Sequence, residues 1–177
     1  MSVVVTGPDI ARALTRISHE ILERNNSSER LTLLGIPTRG AHLAYRLASI
    51  IESIEGKGIE VGTLDITLHR DDLRFRAPRP LMPTTIPILG IQGRDVILID
   101  DVLFSGRTIR AALDALGEIG RPHSVQLAVL VDRGHRRLPI RADYVGKNIP
   151  TSASQSVSVH LTELDGVDEV LIEEAKA

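Results

Sequence analysis

The sequence predicts an α/β fold, a central mostly parallel sheet flanked by helices, and three observations carry that prediction. Val96-Ile97-Leu98-Ile99 is an apolar run without period-2 alternation, the mark of a strand buried on both faces. Leu31 to Ile36 repeats that character, and each run is followed by a short loop and then by helical periodicity. Val125 to Val131 supplies a third buried strand. Repeated strand, loop and helix is the pattern of a parallel sheet crossed by helices.

In chain order, Asp9 is the expected N-cap of a helix from Ile10 to about Arg24. Ile10, Leu14, Ile17 and Ile21 recur at helical spacing, which leaves Arg12, Arg16, His19 and Glu23 on the opposite, wet side. After the strand Leu31 to Ile36 comes Pro37-Thr38-Arg39-Gly40. Leu43, Leu47, Ile50, Ile51 and Ile54 then mark an amphipathic helix. Val61 to Leu68 reads as the next strand, entered through the turn Gly56-Lys57-Gly58. Pro78, Pro80, Pro83 and Pro87 argue against a helix or central strand between Ala77 and Pro87. A long Arg-containing loop over about 69–87 is therefore expected, either a lid that closes over a site or an inert or disordered exposed loop. Val157 to Leu161 and Val167 to Ile172 read as closing strands.

With 177 residues and 42% hydrophobic residues, the chain fits a single domain, 1–177, with an ordinary core. A net charge of -2 argues against wholesale attraction to nucleic acid, so any such binding must come from a local patch. The absence of cysteine excludes disulfides and thiolate metal sites. No signal peptide or membrane span is read, and a cytoplasmic protein without membrane contact is expected. Two Phe, two Tyr and no Trp leave little for base-stacking platforms.

Chemistry concentrates where the Val96–Ile99 run ends. Asp100 and Asp101 fall at the carboxyl end of a parallel strand, where ligand crevices open. Ser105, Gly106, Arg107 and Thr108 then lead into the helix former run Ile109 to Leu116. Free N–H groups at a helix start, a glycine that lets the backbone close in, and two hydroxyls make a cradle for one phosphate. The spacing is not that of a Walker A loop. Two acids beside a phosphate cradle suit the 2′ and 3′ hydroxyls of a phosphorylated ribose. Thr38, Arg39 and Gly40 offer a second anion site at the end of another strand.

The stretch Val96 to Thr108 resembles the 5-phosphoribosyl-1-pyrophosphate (PRPP) binding signature of type I phosphoribosyltransferases: hydrophobics, Asp-Asp, a short loop, then Ser/Thr-Gly-x-Thr. Further blocks narrow the likeness. Ala13-Leu14-Thr15-Arg16-Ile17-Ser18-His19-Glu20, Gly35-Ile36-Pro37-Thr38-Arg39-Gly40, Leu64 to Leu73, and Val131-Asp132-Arg133-Gly134-His135-Arg136 through Ser152 resemble the PyrR family of bifunctional pyrimidine-operon regulators and uracil phosphoribosyltransferases. Departures are His69 in place of an aromatic, Phe104-Ser105 where Tyr-Thr is common, and Pro37 before Thr38. Serine keeps the hydroxyl.

The resemblance implies the type I phosphoribosyltransferase fold with a small hood over about 132–160 and a flexible lid over 69–87. It also implies transfer of phosphoribosyl from PRPP to uracil, giving UMP and pyrophosphate, with Mg2+ bound through PRPP. Asp100, Asp101 and Arg70 would be catalytic. Val102, Leu103, Phe104, Ser105, Gly106, Arg107 and Thr108 would hold the phosphorylated ribose, and Thr38, Arg39 and Gly40 the pyrophosphate. Uracil would lie near Asp132, Arg133 and Val157, or be read by backbone groups. Thr15, His19, Arg24, Arg136, Arg141 and Lys147 match positions associated with binding leader mRNA of pyrimidine operons, in response to UMP or UTP. A homodimer or higher homo-oligomer is implied too. The alternatives are a uracil salvage enzyme without RNA regulation, a UMP-sensing RNA-binding regulator with little catalysis, and a purine-specific transferase.

Overall fold

A strand of consecutive apolar residues needs cover on both faces, and the chain supplies it with helices on two sides of one sheet. The computed structural model describes residues 1–72 and 80–174. Its elements run β1 (Ser2–Thr6), α1 (Gly7–Asn25), β2 (Leu31–Gly35), α2 (Arg39–Glu55), β3 (Glu60–Thr63), β4 (Asp95–Leu103), α3 (Arg107–Ile119), β5 (Ser124–Asp132), β6 (Tyr144–Asn148), β7 (Gln155–His160), α4 (Thr162–Asp165) and β8 (Glu169–Glu174). The main sheet is parallel with order β3-β2-β4-β5-β6. Alternation decides the packing. Leu33, Ile97, Ile99, Ala128 and Leu130 join a core with Ile10, Ile17 and Ile21 of α1 and Leu43, Leu47 and Ile51 of α2. Leu34, Val96, Leu98, Leu127 and Val129 face the other way, against Ile109, Ala112 and Leu116 of α3. Each such fully buried aliphatic side chain contributes roughly 1.5–3 kcal/mol relative to exposure.

The connection out of β2 runs to β3 on one side, whereas β4 lies on the other. That reversal opens a crevice beyond the carboxyl ends of β2 and β4. The loops at 37–40 and 104–106 therefore meet across it. Gly40 makes the approach possible: a Cβ there would lie 2.4 Å from the Ile99 carbonyl oxygen.

Three expectations shift. Helix α1 starts at Gly7, with Thr6 at its N-cap, and Asp9 closes the turn by accepting from the Thr6 N–H at 3.2 Å and hydroxyl at 2.7 Å. Pro8 suits that first turn. The strand expected over Val61 to Leu68 stops at Thr63, because the Asp65 carboxylate captures the Thr67 N–H at 3.0 Å and hydroxyl at 2.6 Å, leading into a 3-10 turn at Thr67–His69. Leu64 and Ile66 remain buried all the same.

The span 132–160, expected as one hood, is divided. Its β6 segment extends the main sheet, where the Arg16 guanidinium donates to the Val145 and Gly146 carbonyls at 3.1 and 2.7 Å. Only β7 joins a small antiparallel sheet, of order β1-β8-β7, which draws β1 and β8 from the two ends of the chain. Arg46 of α2 fastens that sheet, donating to both Asp168 oxygens at 2.8 Å and to Glu163. Hydrogen bonding from Arg46 holds the Asp168 carboxyl down at about 2. A depressed acid stabilises the fold above its unfolded value and loses that contribution as pH falls from about 4 towards 2.

Of the span 69–87, residues 73–79 lie outside the described residues. The returning part is pinned along β3: Thr85 bridges Thr63, and the Met82 N–H donates to Asp65 at 3.0 Å. Among the described residues no helix is long and apolar enough to cross a membrane.

Gly40→Ala should lower the unfolding free energy by about 1–3 kcal/mol through overpacking against backbone. Gly58→Ala, where a Cβ meets nothing within 4 Å, should be neutral or slightly stabilising. Urea denaturation of both variants checks the contrast.

Candidate active site

Strand β4 continues past the apolar run, and its register with β5 includes Asp100, Val102 and Leu103. The paired carboxylates are thus held by the sheet itself. Asp100 is 7% exposed, and its Oδ1 accepts the Asp101 N–H at 2.9 Å. Asp101 is half-buried, and its own Oδ1 accepts the Val102 N–H at 2.9 Å. Burial first, and then the neighbouring Asp101 charge, push the Asp100 carboxyl well above the ordinary carboxylate range; Arg70 opposes this weakly. A strongly raised acid in a cleft is a recurrent mark of a working site.

Two cavities meet at these residues. The larger, about 720 Å3, is lined by Asp100, Val102, Leu103, Phe104 and the whole of Ser105–Thr108. The smaller, about 330 Å3, is lined by Asp100, Asp101, Thr38, Arg39 and Asp65. Arg70, Asp100, Val102 and Thr108 line both. The expected ribose and anion groups therefore converge on one crevice, with Arg70 in the shared wall.

The Ser105–Thr108 loop turns tightly into α3. Gly106 has φ 94°, a left-handed conformation that L side chains resist, and it sits at the N-cap of α3. Helix α3 thus begins at Arg107, two residues before the expected Ile109, and its first N–H groups have no intrahelical acceptor. Arg107 reaches Asp71 at 2.6 Å, and Arg70 pairs with Asp72 through two 2.8 Å bonds.

Arg39 is engaged from the far side. Its Nη2 donates to both Asp165 oxygens of α4 at 3.0 and 3.1 Å, while its buried Nε has no hydrogen-bond partner. The Asp165 carboxyl is lowered, by the Leu161 N–H first and by Arg39 second. Sequence reasoning gave no role to Asp165, which lies in no recognisable motif, or to Asp65, which lies within the Leu64–Leu73 block. Only the folded chain brings them to this crevice.

Other expected residues are placed differently. Asp132, Arg133 and Val157 line neither cavity. The Arg133 guanidinium, 7% exposed, donates to Thr151 and to the Ser152 and Gln155 carbonyls, and lies 4.1 Å from the Phe104 ring centre. It staples β7 and the preceding loop to the main sheet, and burial lowers its pKa. Val157 packs against the core. Arg136 is spent on the interior as well: it donates to the Phe104 carbonyl at 2.8 Å, the Ile140 carbonyl at 2.9 Å and Asp132 at 2.6 Å.

Thr15 and His19 are exposed on α1, and Arg141 and Lys147 are exposed on and beside β6. Arg24 pairs with Asp143 at 2.7 Å and lies 5.8 Å from the Tyr144 ring centre. These groups belong to a helix and an edge strand that Arg16 ties together.

The phosphoribosyl transferase domain family matches residues 3–164. The chain is 65% identical over 169 residues to the Bifunctional protein PyrR of Streptomyces coelicolor, covering 96% of this chain and 88% of that protein. The chain belongs to the PyrR family. The Leifsonia xyli member is 57% identical and is matched along 99% of this chain and 98% of its own. Solved structures share the fold at much lower identity. A hypoxanthine phosphoribosyltransferase from Trypanosoma cruzi superposes with TM-score 0.74 at 16% identity, over 96% of this chain and 93% of that one. Its Staphylococcus aureus counterpart gives 0.71 at 21%, over 99% and 91%. Membership brings phosphoribosyltransferase-type catalytic potential to the chain.

Asp100→Asn should raise the melting temperature at neutral pH. A raised acid keeps its proton in the native state, so wild-type stability falls as pH rises from about 4, and the amide removes that penalty. Melting curves should show the variant's advantage growing with pH and vanishing near pH 4; an advantage independent of pH would deny the buried charge its role.

Proposed function

We propose that the chain is a pyrimidine-operon regulator that binds leader mRNA in response to uridine nucleotides and also transfers phosphoribosyl from PRPP to uracil. The observation that carries this reading is the shared wall of the two cavities, which sets Asp100 beside both the phosphate loop and the Thr38–Arg39 loop. In the transfer, the bond from C1′ to pyrophosphate breaks, N1 of uracil bonds to C1′ and gives up its proton, and UMP and pyrophosphate form.

The ester phosphate would sit on the Ser105–Thr108 loop and the α3 N–H groups. Asp100 and Asp101 would hold the ribose hydroxyls, and their charge would favour the positive character that develops at C1′. That same positive charge would draw the Asp100 proton off, so its raised affinity suits a carboxyl ionised at the moment of reaction. Thr38 and Arg39 would take the pyrophosphate, with Arg70 in the wall between. Most of the acceleration comes from placement and electrostatics, because no side chain is set as a nucleophile.

Among the described residues no cluster of three or more His, Asp or Glu could hold a metal ion. Mg2+ is characteristically held by one or two carboxylates plus substrate phosphates. Asp100 and Asp101 fit that pattern, and Mg2+ brought by PRPP would neutralise the leaving pyrophosphate.

RNA contact is supported by the surface of α1 and β6, where Thr15, His19, Arg24, Arg141 and Lys147 lie outside both cavities. Arg136 contributes indirectly, since its guanidinium fixes the phosphate loop. A link between UMP and RNA must be reciprocal: if UMP strengthens RNA binding, RNA strengthens UMP binding equally.

Turnover of PRPP with uracil, and not with hypoxanthine or guanine, is the expected result of a direct assay; preference for a purine would overturn the pyrimidine reading. Asp101→Asn should lower kcat by about tenfold or more with an unchanged melting temperature. For RNA, Arg141→Gln and Lys147→Gln should each weaken retention of a leader stem-loop and reduce its salt slope by about 1. Uridine-independent retention in filter binding would sink the regulatory half.

A further inference from the structure

Three arginines line the larger cavity: Arg70, Arg107 and Arg137. Two of them are neutralised by acids of the same wall, Arg70 by Asp72 and Arg107 by Asp71. Arg137 has no carboxylate within ion-pair distance among the described residues, and it is exposed. Its position is nonetheless fixed. The Arg137 N–H donates to the Ser105 carbonyl at 2.9 Å, and the Leu138 N–H to the same oxygen at 3.2 Å. On the other side, the Arg136 guanidinium donates to the Phe104 carbonyl at 2.8 Å. The segment is thus stitched to the head of the phosphate loop by three bonds, none of which uses the Arg137 side chain.

We infer that the Arg137 guanidinium is an additional contact for the ester phosphate bound at Ser105–Thr108, an assignment that rests on the phosphoribosyl reading of the site. A phosphate entering this cavity approaches Asp71 and Asp72, both of which line it. Their repulsion must be offset by cations. Arg107 already shares its charge with Asp71, whereas Arg137 shares its charge with no carboxylate among the described residues. A guanidinium also matches phosphate oxygens with paired donors. The adjacent arginines therefore divide the work: Arg136 holds the loop in place, and Arg137 adds charge to what the loop binds. The consequence is selective. Arg137 strengthens phosphorylated ligands such as PRPP and UMP and contributes nothing to uridine or uracil.

The test uses the full chain at low salt and compares wild type, Arg137→Gln and Arg121→Gln. Calorimetry gives the Kd for UMP, and competition gives the inhibition constant for uridine. Arg137→Gln should raise the UMP Kd by about tenfold and the PRPP KM similarly, with uridine and kcat changed less than about twofold. Arg121→Gln, an exposed cation outside both cavity walls, should leave all four values alone. An unchanged UMP Kd in Arg137→Gln overturns the assignment, and so does an equal loss for UMP and uridine, which would mark a structural role. If Arg137→Gln melts lower than wild type, Arg137→Lys should recover part of the UMP affinity, and failure to do so counts against the contact. A wild-type chain that binds UMP no better than uridine would instead overturn the phosphate loop itself, a distinct outcome.

Discussion

The site depends on one constraint: a central parallel strand, hydrogen-bonded on both sides, carries a carboxylate out of the core to the rim of the sheet. Strand β4 is paired with β2 and β5, so Asp100 cannot swing away without breaking the ladder that also orders Val102 and Leu103. Its carboxyl is consequently buried, and the chain bears the cost of a group that ionises reluctantly. A scaffold selected only for stability would place an apolar or amide side chain there.

Around that fixed point, charge is interleaved. Asp71 and Asp72 follow the 3-10 turn and meet Arg107 and Arg70, so the entrance to the 69–87 span is joined electrostatically to the Ser105–Thr108 loop. On the opposite side, α4 reaches Arg39 through Asp165, while Arg46 grips Glu163 and Asp168 on either side of it. The small sheet is therefore anchored to α2 at the point where α2 contributes to the crevice. Neither set of pairs has to supply much stability, since partly exposed ion pairs contribute modestly. Their effect is positional: they set which cations are already committed when an anion arrives.

Legibility followed the physics of each element. Strands buried on both faces announced themselves as unbroken apolar runs, and α1, α2 and α3 followed from spacing, because those signals are local. The Asp100–Thr108 stretch was readable for the same reason, being strand, loop and helix start in one contiguous segment. Strand β6 was not, because Val145-Gly146-Lys147-Asn148 has no apolar pattern of its own and is held in the sheet by Arg16 and by the closeness to Leu130 that Gly146 permits. Strand β1 escaped because its partner lies at the far end of the chain. Arg133 was expected beside uracil and Arg136 at the RNA surface, and both guanidiniums are held by backbone carbonyls, a fate that sequence does not record.

By itself the sequence determined the architecture class, the two loops that flank the crevice and the acids at its rim, since each is written in residues that are neighbours along the chain. Tertiary structure decided which charges are available. The commitment of Arg136 to Phe104, of Arg107 to Asp71 and of Arg39 to Asp165 joins residues from 32 to 126 positions apart. Over such separations pairing is set by the packing of whole elements, and a side chain's chemistry depends on what that packing leaves unpaired.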